Sequence, residues 1–298
     1  MFEKRRRLAR WLSGQGIEIG ALHQPLQLPP DVHVTYVDHL PLEKLREHYP
    51  ELADWDLVPV DVIGTAEDLS EFADESLDFV IANHLFEHLE YPVKALVEFQ
   101  RVLRPGGVAY LALPDKRRSF DKKRELTTVN HVIEEERNGQ AEQNRRAHYL
   151  DWAENVDEKD PGAAAEAHAD ELMAIPYSIH FHVWRPDTFL DLLAAVRREF
   201  PVTLQPIQFA ALESPDDAEF VILLAKPNGD EPVLPAREEP AVPVAVSDPA
   251  QAEDPAPAGQ SAVSGNGAGF PGSTRLKEAV RNTPLESPLR AIKRRLKL

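Results

Sequence analysis

The run Leu77-Asp78-Phe79-Val80-Ile81-Ala82 constrains this chain more than any other stretch. It has the length of a strand, is almost wholly apolar, and breaks at once into Asn83-His84. A short run of that kind fits a central parallel strand covered on both faces. The patterns around it agree. "GIEIGAL" reads as a strand near residues 16 to 19, "HVTYVDHL" as a second near 33 to 37, and "LVPVDVIG" as a third. "EKLREHYP" reads as a helix. In "YPVKALVEFQRVLRPGG" Val93, Leu96, Val97, Val102 and Leu103 lie close to one helical face, and Pro105-Gly106-Gly107 stops the helix. "VAYLALPD" is the next strand; later come a helix, "RPDTFLDLLAAVRREF", and a strand, "AEFVILLAKP". This alternation predicts an α/β fold: a doubly wound, mostly parallel sheet.

Composition narrows the function classes. A net charge of −17 disfavours a general nucleic-acid binder, since phosphate backbones need a basic face. With no cysteine in 298 residues, disulfides, thiolate nucleophiles and cysteine-ligated zinc are excluded. That usage fits a reducing cytoplasm. The N-terminal "MFEKRRRLARWLSG" is basic without an apolar signal core, and no apolar run approaches a membrane span. The expectation is a soluble, cytoplasmic protein.

The character of the chain changes after Pro227. Residues 228–273 are rich in Pro, Ala, Gly, Ser and Glu, a composition that cannot bury enough surface to offset its conformational entropy. A disordered linker is expected there. Residues 274–298 turn basic, with Leu289, Ile292 and Leu296 on one helical face. They read either as a solvated tail or as a contact for an anionic membrane or protein partner. Residues 1–227 form the expected folded domain, with a mostly helical lid at about 116–176.

In an open parallel sheet, ligands sit beyond the carboxyl ends of the strands. Those ends carry Glu18-Ile19-Gly20-Ala21, Asp38, Asn83-His84 and Pro114-Asp115. Asp38 lies about twenty residues beyond the glycine turn, the distance at which an acid reaches a ribose diol. The stretch "NHLFEHL" also matches the H-x-x-E-H pattern of inverted zinc peptidases through His84, Glu87 and His88. That chemistry needs the whole motif within one helix, whereas here it begins where a strand ends.

Residues 16 to 115 resemble the core of class I S-adenosylmethionine-dependent methyltransferases of the broad type 11 group. The resemblance runs through "IEIGAL", "YVDHL" and the segment from "DESLDFV" to "RVLRPGG". The continuation "PDKRRSFDKKRELTTVNHVIEEE" resembles a bacterial subgroup associated with surface-polysaccharide and glycosyltransferase functions.

The resemblance implies S-adenosyl-L-methionine as cofactor. Glu18, Gly20 and Ala21 would form the loop at its methionine end, and Asp38 would hold the ribose. Thr65, Ala66 and Glu67 would flank the adenine, and Asn83 would face the sulfonium and amino-acid end. One departure stands out: the family's E-x-G-x-G-x-G loop keeps a single glycine here, Gly20.

An oxygen acceptor needs its proton removed, and histidine titrates in the right range. His84 is the first candidate base and Asp115 the second, with His88 and His131 as further candidates. No metal ligands are assigned; a divalent cation on His84, Glu87 and His88 is the alternative the resemblance leaves open. The expected acceptor is a small molecule, glycan or sugar phosphate. Lys116, Arg117, Arg118, Lys122, Lys123 and Arg124 read either as a site for an anionic acceptor or as a solvated face. In "SIHFHVW", strand alternation would put His180 and His182 on one face, most simply a partly exposed polar one. Tyr177 and Trp184 offer an aromatic platform for a sugar ring or, more simply, packing. Two other readings of the chain remain: a methyltransferase fold kept only for binding, and a metal-dependent hydrolase.

Overall fold

The computed structural model describes residues 2–229 apart from Pro176 and Pro215. The linker expected at 228–273 (save Asn228 and Gly229) and the tail at 274–298 lie outside the described residues. In chain order the elements are α1 (Phe2–Leu8), β1 (Gln15–Ile19), β2 (His33–Asp38), α2 (Leu42–His48), β3 (Val62–Ile63), β4 (Leu77–Asn83), α3 (Pro92–Val102) and β5 (Leu103–Pro114). There follow α4 (Val129–Asn138), α5 (Ala141–Asn155), α6 (Ala163–Ala174), α7 (Pro186–Glu199), β6 (Gln205–Ala210) and β7 (Glu219–Ala225).

The strands form one seven-stranded sheet in the order β3-β2-β1-β4-β5-β7-β6. The first five run parallel, and β7 is antiparallel to both β5 and β6. This is the doubly wound sheet the sequence predicts. From β1 the connections wind one way to β2 and β3, and the other way through β4 to β5. The β1/β4 boundary is therefore the topological switch point, where such sheets open a ligand crevice.

Alternation along β4 shows why its run is apolar throughout. Val80 and Ala82 face the layer that holds α3 and α7, packing with Leu96, Phe99, Phe189 and Val196. Phe79 and Ile81 face the other layer, with Leu8, Ala9 and Leu12 from the N-terminal segment. Gly16 lets β1 and β4 close up: a Cβ there would stand 2.2 Å from the Phe79 carbonyl oxygen, so no other residue fits.

One expectation is corrected in detail. Helix α3 ends at Val102, before Pro105-Gly106-Gly107, which instead sit in a register shift of β5 against β4. No helix forms between β1 and β2; residues 20–32 are loop and turns.

The helical insertion after β5 is present. The helices α5 and α6 enclose their own apolar cluster of Tyr149, Trp152, Ala165, Ala169 and Leu172, joined by Ile179 and Phe181. Val132 and Ile133 of α4 belong instead to the cluster beneath the sheet.

The N-terminal helix is anchored by charge. Lys4 donates to Asp217 at 2.6 Å and to the Glu219 carbonyl at 2.6 Å, with all three groups buried. Arg5 binds Glu219 in a fork, Nε to Oε1 at 2.9 Å and Nη2 to Oε2 at 2.5 Å. Removing one partner of a buried pair strands the other charge. Arg5→Ala should therefore destabilise the fold by about 3–5 kcal/mol. Arg7→Ala, which breaks an exposed pair with Glu213, should cost less than about 1 kcal/mol. Urea unfolding of the two variants checks the contrast.

Candidate functional site

The site is built where β1, β2 and β4 end. β1 delivers Glu18, 1% exposed, whose two carboxylate oxygens accept from the Leu26 N–H at 3.0 and 3.1 Å. Asn83 at the end of β4 donates to Glu18 Oε1 at 3.3 Å. Burial pushes the Glu18 carboxyl up to about 7, against the opposing pull of the Leu26 N–H, Arg5 and Asn83. The Asn83 Oδ1 beside it is buried and has no hydrogen-bond partner.

Gly20 turns the chain at φ +69°, and its N–H is tied to the Val37 carbonyl at 3.0 Å. Two residues on, Leu22 adopts φ +48°, a left-handed conformation that favours glycine. The loop with a single glycine therefore still makes a second left-handed turn, at the expense of strain on Leu22.

Asp38 is buried at the end of β2, where Oδ1 accepts from the backbone N–H and the Nδ1 of His39, both at 2.8 Å. The cavity beside it, lined by Ala21, Leu22, Tyr36 and Val58–Val60 among others, measures about 10 Å³. The Val58 N–H donates to the Leu22 carbonyl at 2.8 Å and closes this space. Thr65 and Ala66 follow β3 in a small turn bridged to Asp68, and Glu67 accepts from the Tyr91 N–H at 2.8 Å.

On the other side of β4, His84 leaves the strand at φ +51°. Its Nε2 lies 2.7 Å from Glu219 Oε2, and its Nδ1 lies 3.6 Å from Glu87 Oε1. Burial works to raise the Glu219 carboxyl, but the bonds from His84 and Arg5 prevail and hold it at about 2. An ionised carboxylate only accepts, so Nε2 of His84 carries the proton and Nδ1 is left as the basic atom. Burial also depresses the His84 ring below its ordinary value, although Glu219 pulls the other way. Glu87 is fully enclosed, neither of its oxygens has a hydrogen-bond partner, and burial pushes it well above the usual carboxylate range.

His88 donates Nδ1–H to the Ile179 carbonyl at 2.9 Å, and burial pushes its ring down to about 3. His180 stands edge-on to it, with ring centroids 4.6 Å apart, and bonds Asp121 through Nδ1 at 2.8 Å. Asp121 is held in turn by Arg124 at 3.0 Å. Burial opposes its ionisation, yet His180 and Arg124 keep it far below its ordinary value. Glu87, His88 and His180 offer donor atoms all within 4.8 Å of one another, enough to hold a metal ion.

The H-x-x-E-H reading fails on geometry. His84 is outside any helix and bound to Glu219, while Phe86–His88 form one 3-10 turn.

Other candidates are placed differently from the sequence pattern. Asp115 is buried and held by the Arg117 backbone N–H and guanidinium, at 3.0 and 2.6 Å, as a cap rather than an open base. His131 lies on α4 with Glu135 and His148, outside the contacts of His84. His180 and His182 are both buried, and a bend at Phe181 directs them into different groups. Trp184 is core, stacked on His182 with centroids 5.3 Å apart. Within the basic run Arg117, Lys123 and Arg124, half of its six cations, pair with Asp115, Glu158 and Asp121. Sequence reasoning missed Arg5 and Glu219 as site residues, and offered Glu87 only as a metal ligand. The available signal was a lone acid heading the apolar run of β7.

Residues 13–111 match the family model described as a methyltransferase domain. Those residues are a methyltransferase domain. Among curated proteins, the domain is similar to the methyltransferase ucsB of an Acremonium species, 39% identical over 106 residues. That match covers 32% of this chain and 36% of the fungal protein. A second relative is the biotin biosynthesis bifunctional protein BioHC of Cellvibrio japonicus, 30% identical over 31% of this chain and 17% of that one. The chain thus matches well under half the length of either. Among solved structures, a SAM-dependent methyltransferase from Aquifex aeolicus is similar at 13% identity and a TM-score of 0.40, over 76% of this chain and 89% of that one.

The donor set at the switch point suits this methyltransferase cofactor: a carboxylate at the end of β2 for a diol, and an orphaned carbonyl beside Glu18 for an ammonium. Because the Asn83 amide favours the charged form of Glu18, Asn83→Ala should raise the Glu18 pKa further above about 7. A carboxyl-carbon NMR titration of the two proteins reads that shift.

Proposed function

We propose that the whole chain is an S-adenosylmethionine-dependent methyltransferase acting on a hydroxyl oxygen of a small molecule, glycan or sugar phosphate. The observation that carries the reading is His84. It is a neutral imidazole at the switch point, 21% exposed, with its tautomer set by Glu219 and its Nδ1 left basic. When bound, the cofactor supplies a sulfonium methyl group, already an excellent donor. What remains for the chain is to position the partners and take one proton.

Gly20, Asp38 and Asn83 would hold the methionine and ribose parts. His84 Nδ1 would receive the acceptor's hydroxyl proton, and Glu219 would stabilise the imidazolium that forms, as a buried carboxylate does behind a catalytic histidine. His88 at about 3 is too weak a base for the same task at neutral pH. Glu87, held neutral, would line the pocket as a hydrogen-bond donor.

A second reading has one observation in its favour. Glu87, His88 and His180 form a buried donor set, and His180 is backed by a carboxylate as metal-bound histidines are. On that reading a divalent cation would orient the acceptor oxygen. The cysteine-free composition is in keeping with a reducing, cytoplasmic setting. The resemblance of residues 114–136 to a polysaccharide-associated subgroup supports a glycan acceptor. The basic stretch 274–298 belongs to the proposal as a contact for an anionic membrane or protein surface.

Calorimetry with S-adenosylmethionine and its demethylated product should show binding to the chain, lost or greatly weakened in Asp38→Ala. No binding heat from the wild type at millimolar ligand, with Asp38→Ala behaving the same, would remove the enzyme reading. Binding without turnover on a panel of hydroxylated acceptors would favour a binding module. With an acceptor in hand, His84→Gln should lower kcat by about 10²–10⁴-fold. The wild-type rate should rise with pH and level off below the ordinary histidine value, because the base works unprotonated and its pKa is depressed.

A further inference from the structure

Away from the switch point, α4 and α5 bring three side chains to one spot. His131 and Glu135 lie one turn apart on α4, and His148 reaches in from α5. His131 Nε2 is 3.2 Å from Glu135 Oε1, and His148 Nε2 is 3.3 Å from the same oxygen. The two ring nitrogens are 3.4 Å apart. The three atoms form a nearly equilateral triangle. Ligands held about 2.0–2.1 Å from a zinc ion in tetrahedral geometry stand about 3.3–3.4 Å from one another, the same edge.

Hydrogen bonding alone accounts poorly for this group. Glu135 Oε1 would take three donors, counting the Asn144 amide at 2.9 Å, while its buried Oε2 takes none. Both imidazoles would point their N–H groups at one oxygen and, at 3.4 Å, almost at each other.

We propose that His131, Glu135 and His148 bind a divalent cation of the zinc class, with the fourth position open to solvent on the half-exposed His131 side. Two imidazoles and a carboxylate suit zinc or cobalt better than calcium or magnesium, which prefer oxygen ligands. Asn144 orients the carboxylate by donating to the same oxygen, Oε1, at 2.9 Å. His182, stacked on Trp184 with its ring centroid 5.7 Å from that of His148, walls the inner side. The ion ties together two separate packing units. Val132 and Ile133 root α4 in the core beneath the sheet, while Tyr149 and Trp152 root α5 in the cluster of the insertion. This inference does not rest on the methyltransferase reading.

The test loads the full chain with cobalt(II) after chelator treatment. The expected result is visible d–d absorption of a tetrahedral nitrogen–oxygen site, free of thiolate bands because the chain has no cysteine. The signal should persist in the double variant His88→Ala/His180→Ala, which disables the other donor group. It should vanish in Glu135→Gln. Asn144→Ala should weaken cobalt binding by roughly 10–100-fold while leaving the ligands in place. Zinc should raise the Tm of the wild type and leave that of Glu135→Gln unmoved. No cobalt spectrum in the wild type would overturn the proposal. So would an equal affinity in folded Glu135→Gln, or, should that variant not fold, in Asn144→Ala.

Discussion

The ionised carboxylate of Glu219 organises this structure. It lies buried at the head of an apolar strand, where an unpaired charge would be prohibitive, so partners must come to it. Arg5 arrives from the first helix and His84 from the end of β4. One group therefore fastens the N-terminal segment over one face of the sheet and also sets the tautomer of the candidate base. The stability of the fold and the chemistry of the site share that single interaction.

The same trade between burial and pairing runs through the neighbouring acids. Asp121 has His180 and Arg124 and stays ionised, whereas Glu87 has no hydrogen-bond partner and burial holds it neutral. Glu18 lies between them: the Leu26 N–H and Asn83 offset only part of its desolvation, and it titrates at about 7. Three buried carboxyl groups thus occupy different protonation states. Placement beyond the strand ends puts them where the polypeptide itself cannot supply enough donors.

Much of the fold was legible because strand and helix periodicities are local. The apolar run of β4, the amphipathic pattern of α3 and the turn at Gly20 each needed only neighbours in sequence to be read. The path after β1 was not legible: residues 20–32 contain no strong local pattern, and Leu26 reaches back to Glu18. The paired histidines misled for a related reason. Alternation places His180 and His182 on one face only if the backbone stays extended, and a bend at Phe181 breaks that condition.

By itself the sequence determined which segments are strands and helices, that β4 is buried on both faces, and that polar residues gather where strands end. It also determined the position of Asp38 and Asn83 relative to the glycine turn, because those offsets are set within one winding of the sheet. Only the tertiary structure decided the partners: His84 with Glu219 and Arg5, His88 with His180, His131 with Glu135 and His148. Side-chain direction repeats every few residues and can be read from spacing. The partner of a buried charge is chosen when distant strands and helices close on one another, and no local period encodes that choice.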